Sequence, residues 1–293
     1  MGSKTIVSLL LHVIIVSITL TDAQMICYTT GNFTANSTYA KNRDLVLRSL
    51  ASNVTNNRGS YNTTIGLGED TVYGLVVCLA SPSAEICSSC VNSAIQTLMT
   101  ACPNQKEAIS WGGIVPCIVR YANRYFLGLL EPSPDSIVSN KGILDADSRH
   151  FDFVQFWSGL RETVIKASTS PSSLMPAVET EDIPPNQKIY VFMQCTPDVS
   201  PGNCSVCLQQ SVDDYKLCCY GYDGGIVLKP NCVFRWDLYP FYDLLAQVTS
   251  PSSPPFVISS PPPTNTTIRK GRLSSFSILK SFHLFYGFQF QLL

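Results

Sequence analysis

The chain has 293 residues, of which 45% are hydrophobic and 14% charged, and its formal net charge is −1. This length and apolar content fit about two domains, each with its own core. Between residues 24 and 267 acidic side chains outnumber basic ones, so a basic surface and a nucleic-acid partner are not expected.

The N-terminus has the pattern of a secretory signal peptide. Lys4 precedes an apolar run over Ile6–Leu20, and the small residue Ala23 ends the segment. The run is shorter than the roughly 20 residues that span a membrane, although a buried helix or a membrane anchor is the alternative. We predict that residues 1–23 are a signal peptide and that the mature protein is secreted.

The next segment, residues 24–130, is predicted to be a first domain. Leu47, Leu50 and Val54 lie on one side of a predicted helix over Tyr39–Val54. The run TVYGLVVC that ends at Cys78 is typical of a strand, and apolar residues at helical spacing follow it. An apolar segment around Ile114–Leu129 is then expected to form strands.

A short proline-containing joint, EPSPDS at residues 131–136, separates this segment from a second predicted domain at residues 136–243. A helix is predicted from an apolar stripe that includes Trp157, Leu160 and Val164. The strand KIYVFMQC ends at Cys195, a second helix follows it, and Ile226–Tyr242 is expected to form strands.

Residues 250–293 are predicted to be a Pro/Ser-rich stalk with a disordered tail. The last part is apolar but carries Lys280, His283, Gln289 and Gln291. Polar groups at the bilayer centre cost free energy, so we do not expect this segment to anchor the protein in a membrane.

The cysteines reveal an internal repeat. The spacing C-x8-C-x2-C occurs twice, beginning at Cys78 and at Cys195, and each occurrence follows a predicted strand and precedes a predicted helix. The fold class that follows is α+β, with two tandem domains, each of two helices packed on an antiparallel sheet and linked by disulfides. The six cysteines of the first copy are Cys27, Cys78, Cys87, Cys90, Cys102 and Cys117, and those of the second are Cys195, Cys204, Cys207, Cys218, Cys219 and Cys232.

Paired cysteines and glycosylation triplets both fit an exported protein. The triplet at Asn203 has Cys204 in its middle, which restricts access to it. We therefore predict N-glycosylation at the five other triplets, which are headed by Asn32, Asn36, Asn53, Asn62 and Asn265.

The two C-x-x-C pairs also fit a redox motif or a zinc site. A third cysteine lies upstream of each pair, and the chain after residue 23 has only His150 and His283 as histidine ligands. Structural disulfides are therefore the preferred interpretation, with no metal and no cofactor. His150 and the Asp213–Asp214 pair are interpreted as exposed side chains, so no catalytic residue is predicted.

Tryptophans are the candidates for stacking on a glycan. Trp157 belongs to an apolar helix stripe and is interpreted as a core residue. Trp111 and Trp236 lie in strand-like segments, where a core position and a surface position both remain open, so these two are the candidate stacking residues.

The doubled cysteine motif, together with the segments CIVRYANRYF and NCVFRWDLYPFY, resembles the plant ginkbilobin-homologous, or stress-antifungal, domain. Two such domains behind a signal peptide are similar to cysteine-rich repeat secretory proteins and to the ectodomains of cysteine-rich receptor-like kinases. No kinase motif follows the stalk, so we expect a member without a kinase, either naturally secreted or truncated.

The resemblance implies a disulfide pairing. It predicts Cys27–Cys102, Cys78–Cys87 and Cys90–Cys117 in the first copy, and Cys195–Cys204 and Cys207–Cys232 in the second. The second copy lacks a counterpart of Cys27, so Cys218 and Cys219 stay unassigned. A vicinal disulfide, free thiols and an intermolecular bridge are all open for them.

Founding members of the family bind mannose through an Asn after the first cysteine, an Arg six residues before the last and a Glu five after it. The first copy has Tyr28, Trp111 and Ala122 at these positions. The second copy has Ile226 and Asp237 at the last two, and its first position has no cysteine to locate it. Since neither set reproduces the charged groups that grip sugar hydroxyls, mannose binding at this site is not expected.

The resemblance implies a non-enzymatic, apoplastic recognition protein of plant defence or stress signalling. Its expected partners are an extracellular protein or a glycan, with a receptor-like kinase as one candidate. The alternatives are an antifungal, lectin-like effector that binds carbohydrate and a disulfide-exchange enzyme.

Overall fold

The two cysteine sets build two copies of one α+β unit. The computed structural model describes residues 24–80, 82–112, 117–143, 153–170, 176–183 and 187–241. The predicted signal peptide, His150, Asn265 and the predicted stalk and tail lie outside these residues.

The first copy contains two helices and five strands. They are β1 (Gln24–Cys27), α1 (Thr38–Asn53), β2 (Ser60–Ile65), β3 (Val72–Cys78), α2 (Ala84–Ala101), β4 (Ala108–Trp111) and β5 (Cys117–Ala122). The strands form an antiparallel sheet in the order β1-β4-β5-β3-β2.

The second copy repeats this topology. It contains β6 (Ser136–Ser139), α3 (Phe153–Thr169), β7 (Ala177–Ile183), β8 (Gln187–Cys195), α4 (Pro201–Cys219), β9 (Gly224–Leu228) and β10 (Cys232–Asp237). Its antiparallel sheet has the equivalent order, β6-β9-β10-β8-β7. The predicted α+β fold with two helices on each sheet is confirmed.

Serine side chains mark the start of three of the four described helices. Ser37, Ser83 and Ser200 each precede a helix, and each side-chain oxygen accepts a hydrogen bond from a backbone N–H of the first turn. The predicted apolar stripes of α1 and α3 are buried against the sheets. Each copy therefore has a core between its helices and one face of its sheet.

All twelve cysteines are paired in the structure. The five pairs implied by the family resemblance are present, and Cys218 is bonded to its neighbour Cys219. Cys78–Cys87 joins the end of β3 to the first turn of α2, and Cys195–Cys204 repeats this link between β8 and α4. The repeated motif thus attaches each second helix to its sheet.

A third apolar cluster joins the two copies through the sheet faces that point away from the helices. The first copy contributes residues including Leu75, Trp111 and Phe126, and the second contributes Phe192 and Val233. Polar contacts accompany them: the Trp111 Nε1–H donates to the Lys229 carbonyl at 3.0 Å, and the Ala80 N–H donates to Gln194 Oε1 at 2.7 Å. Both faces of each sheet are therefore covered.

This arrangement corrects the prediction that Trp111 and Trp236 stack on a glycan. Both side chains are completely buried. Trp111 faces the other copy, whereas Trp236 faces the helices of its own copy and packs against Phe156, Trp157 and Tyr215. Neither ring presents a face to a ligand, so this prediction is wrong.

Candidate functional site

Three polar side chains meet where β6 ends: Asn140, Arg235 and Asp237. With Tyr239 they form what we call the polar corner of the second copy. The Asn140 Nδ2 donates to Asp237 Oδ1 at 2.7 Å, and the Arg235 Nε donates to Asp237 Oδ2 at 2.8 Å. Both carboxylate oxygens are thus held by donors from two different elements.

Strand geometry and one glycine place these groups. Arg235 and Asp237 are two residues apart on β10, so they share the face of the sheet opposite Trp236. The Asn140 N–H donates to the Gly224 carbonyl at 2.8 Å, which holds Asn140 beside them. Gly224 has φ +144°, and a Cβ there would lie 2.5 Å from Asp237 Oδ1. Only glycine leaves room for the Asn140–Asp237 contact.

The polar corner is buried at its base and accessible at its rim. Asp237 is 1% exposed, whereas the Arg235 side chain is 21% exposed and Tyr239 is 49% exposed. Burial raises the pKa of Asp237, while the hydrogen bond from Asn140 and the charge of Arg235 oppose this shift. Arg235 also donates to Tyr239 Oη at 2.9 Å, and its guanidinium lies 4.0 Å from the Phe241 ring centroid. Amide, guanidinium and phenol groups at the rim can bind polar ligand groups.

Comparison with known proteins gives the family. Residues 26–124 and 150–239 match the family described as salt stress response/antifungal. The chain belongs to this family. Each copy of the cysteine motif therefore lies in one stress-antifungal domain.

The chain is similar to receptor-like kinases of Arabidopsis thaliana. It is 40% identical to cysteine-rich receptor-like protein kinase 14 over 254 residues, which are 85% of this chain and 38% of that protein. It is also 40% identical to cysteine-rich receptor-like protein kinase 18 over 260 residues, 86% of this chain and 39% of that protein. The chain thus spans about two fifths of the length of these relatives.

Two solved structures share the fold. The tandem DUF26 ectodomain of the A. thaliana cysteine-rich receptor-like protein PDLP8 superposes with a TM-score of 0.59 at 21% identity, covering 74% of this chain and 98% of that one. The PDLP5 ectodomain gives 0.57 at 22% identity, covering 75% and 100%.

Strand register identifies the position that the cysteine count left open in the second stress-antifungal domain. Cys27 lies opposite Ala108 in the pairing of β1 with β4, and Ser139 lies opposite Gly225 in the equivalent pairing of β6 with β9. Ser139 therefore takes the place of Cys27, and Asn140 takes the place of Tyr28. Sequence reasoning missed Asn140 because the anchoring cysteine is replaced. The available signal was an amide directly after the short segment SIVS at residues 136–139.

The equivalent place in the first stress-antifungal domain is closed. Tyr28, Trp111 and Ala122 all lie in or against the apolar cluster between the copies, and the Tyr28 hydroxyl has no hydrogen-bond partner among the described residues. Burial raises the pKa of Tyr28 to about 12, with Arg120 opposing it. In the second domain the strand register places Leu228 at the position of Trp111, and Leu228 belongs to this cluster. Ile226, the position reached by counting six residues back from Cys232, packs against the same cluster. The positions that correspond to the family's mannose site have therefore diverged between the copies. In the first copy they are buried in the apolar cluster, and in the second copy two of them carry the polar residues Asn140 and Asp237.

Buried charges replace the polar corner in the first copy. Arg120, which like Arg235 is the third residue after the last cysteine of its copy, donates to Glu107 Oε1 at 2.7 Å and also contacts Glu131. Arg124 bridges the same two carboxylates. Burial would raise the pKa of Glu131, but the contacts with Arg124 and Arg120 outweigh it and lower the pKa. The Glu131 N–H also donates to Asn231 Oδ1 of the second copy at 2.7 Å, so the network is linked to the other copy.

The predicted glycosylation sites that the structure describes lie on the first copy. Asn32, Asn36 and Asn62 are exposed there, and Asn53 is half-buried at the end of α1. Asn203, whose triplet contains Cys204, is half-buried in the first turn of α4. Glycans at the four first-copy sites would be attached to the copy that does not carry the polar corner.

Neither a metal site nor a membrane span is found in the described part of the chain. Its His, Cys, Asp and Glu side chains form no group of three or more that could hold a metal ion. Its helices include none with the length and apolar character needed to cross a bilayer.

Proposed function

We propose that the chain is a secreted, non-enzymatic recognition protein of the plant apoplast that acts in defence or stress signalling. The observation that carries the proposal is its alignment with the tandem DUF26 ectodomains of two receptor-like proteins over nearly their whole length. The matching parts of the receptor-like kinases make up about two fifths of those proteins. The expected role is binding an extracellular protein or glycan.

The polar corner is the proposed contact site. Its rim offers an amide, a guanidinium and a phenol, which together can donate and accept hydrogen bonds without bond-making chemistry. Asp237 is occupied by two internal donors, so its role is to position Asn140 and Arg235. Arg and Tyr side chains are enriched at protein–protein interfaces, which supports a contact role for this surface.

A ligand screen tests the proposal. Purified protein containing residues 24–250 is passed over an array of plant and fungal cell-wall glycans and over a panel of cysteine-rich receptor-like kinase ectodomains. We expect saturable binding to at least one member, with the mass of the bound molecule unchanged after prolonged incubation. Turnover of a bound glycan or protein into a product would contradict the non-enzymatic role.

Carbohydrate binding is a second candidate, favoured by the presence of Asn140 and Asp237 at two of the three family positions in the second copy. The third position is Leu228 by strand register and Ile226 by counting back from Cys232, and neither supplies a charge, so mannose affinity should be weak. We expect a millimolar Kd at best, equivalent to about −4 kcal/mol. Calorimetry with mannose and oligomannose on enzymatically deglycosylated protein measures it, and Tyr239→Ala should abolish it. Micromolar affinity that survives Asn140→Ala and Tyr239→Ala would place the sugar elsewhere.

The disulfide-exchange alternative gains no support from the C-x-x-C pairs. An exchanging C-x-x-C motif needs a disulfide between its own two cysteines. Here Cys87 is bonded to Cys78, and Cys90 is bonded to Cys117. The second copy repeats this arrangement, with partners outside each pair. Both motifs therefore act as structural links.

A further inference from the structure

The bond between Cys218 and Cys219 differs from the other five disulfides in its position and in its surroundings. It joins neighbouring residues in the last turn of α4, whereas the others have sequence separations of 9 to 75. It also has no counterpart in the first copy, where Cys102 is bonded to Cys27. In the second copy Ser139 takes the place of Cys27, so that partner is missing.

Exposure distinguishes this bond as well. Cys218 is the one cysteine of the twelve whose residue is exposed, and all twelve lie in the described part of the chain. The flanking side chains also lie on the surface, since Leu217 is 87% exposed and Tyr220 is 53% exposed. Cys219, by contrast, is buried against the core of the second copy. Cys218 is therefore the residue of the pair on the solvent side, and we expect a thiolate from solvent to attack its sulfur, which lies 3.5 Å from the Tyr215 carbonyl oxygen.

Reducing the Cys218–Cys219 bond adds almost no conformational freedom to the unfolded chain. Disulfides stabilise proteins largely by closing loops in the unfolded chain, and the effect grows with loop length. A bond between adjacent residues closes no loop of the main chain, so its loss has little effect on the unfolded state. Cys195–Cys204 in the same copy is buried and links β8 to α4. We therefore expect opening of the adjacent pair to cost the fold less stability than opening of Cys195–Cys204.

We propose that Cys218–Cys219 is a thiol-exchange site that low-molecular-weight thiols modify outside the cell. The thiolate of one thiol attacks the Cys218 Sγ, the S–S bond breaks, and the Cys219 Sγ leaves as a thiolate that takes a proton from water. A second thiol attacks the resulting mixed disulfide and releases Cys218 as a thiol. Two thiols are oxidised to one disulfide, and the protein bond gains two electrons and two protons.

The test uses the full secreted chain, folded and fully oxidised, with reduced glutathione as the thiol. After equilibration at graded glutathione concentrations, free thiols are trapped with N-ethylmaleimide and located by peptide mass spectrometry. We expect both labels on the Cys218–Cys219 peptide at a concentration about tenfold below that which opens any other pair. A glutathione adduct on Cys218 is expected at intermediate concentrations.

Two controls separate exchange from unfolding. The double variant Cys218→Ser/Cys219→Ser should lose the early label and lower the Tm by less than Cys195→Ser/Cys204→Ser does, since only the second variant removes a link between a strand and a helix. Oxidised glutathione should remove the early label from the parent. Labelling of another pair first, or labelling of Cys218 and Cys219 only after denaturation, would overturn the proposal. Both outcomes are measured on the parent protein, so the test holds even if a variant fails to fold.

Discussion

Replacing Trp111 by alanine should lower the free energy of unfolding by about 3–5 kcal/mol, the usual cost of removing a large aromatic side chain from a core. The side chain is fully buried in the apolar cluster between the copies, and its Nε1–H donates to the Lys229 carbonyl. The substitution leaves a cavity between the sheets and an unpaired carbonyl. The stability loss should therefore be accompanied by easier separation of the copies.

Urea unfolding and limited proteolysis measure the two effects of Trp111→Ala. Trp111→Phe is the matched control: it keeps an aromatic ring and loses the hydrogen bond, which on its own is worth about 1 kcal/mol. Trp236→Ala, which opens the helix-side core of the second copy, should destabilise without increasing cleavage in the joint at residues 131–136. A loss below about 1 kcal/mol for Trp111→Ala would mean that the copies do not depend on each other.

Replacing Glu107 by glutamine should be similarly severe, at about 3–5 kcal/mol, because it leaves a buried guanidinium with less compensating charge. Glu107 is completely buried, and Arg120 is 1% exposed. Glu107 also accepts hydrogen bonds from Arg124, so one substitution weakens contacts to two cations. Glu131 remains as a partner, which places the expected value toward the lower end of the range.

Thermal and urea unfolding of Glu107→Gln give the measurement. The control is the exposed pair of Asp182 and Lys188, whose charged atoms are 3.1 Å apart. Asp182→Asn should change stability by about 1 kcal/mol or less, as exposed ion pairs do. If both variants lowered the free energy of unfolding by the same small amount, the buried network around Glu107 would contribute no more to stability than an exposed ion pair.

Sequence patterns predicted the parts of the fold that repeat or are strongly apolar. The doubled cysteine spacing located both second helices and the strands before them, and helical stripes such as Leu47 and Leu50 located the first helices. The outer strands were missed. β2 has the sequence SYNTTI, which reflects the polar character of sheet edges, and β6 is only four residues long.

The predicted strand region around Ile114–Leu129 extended too far, because the chain leaves the sheet after Ala122. The tryptophan error has a related cause. The alternation of side chains along a strand assigns them to two faces of the sheet. It does not show whether the second face is exposed to solvent or covered by another part of the protein. Here helices cover one face and the other copy covers the other, so Trp111 and Trp236 are both buried.

Asn140 could not be found by counting from cysteines, because Ser139 replaces the cysteine that would locate it. The pairing of β6 with β9, a contact between residues about ninety apart in sequence, was needed to place it. The vicinal bond of Cys218 and Cys219 was left open for the same reason: the pairing implied by the family resemblance needs a counterpart of Cys27, and the second copy has none.

The central claim, that the polar corner is a recognition site, is tested most directly by comparing Asn140→Ala with Asn92→Ala against the strongest binder from the ligand screen. Asn92 is an exposed asparagine on α2 whose side chain bonds only within its own helix. Surface plasmon resonance should show at least about a tenfold rise in Kd for Asn140→Ala, or about 1.4 kcal/mol, and no change for Asn92→Ala. Equal affinity of both variants and the parent protein, with both variants folded, would contradict the claim.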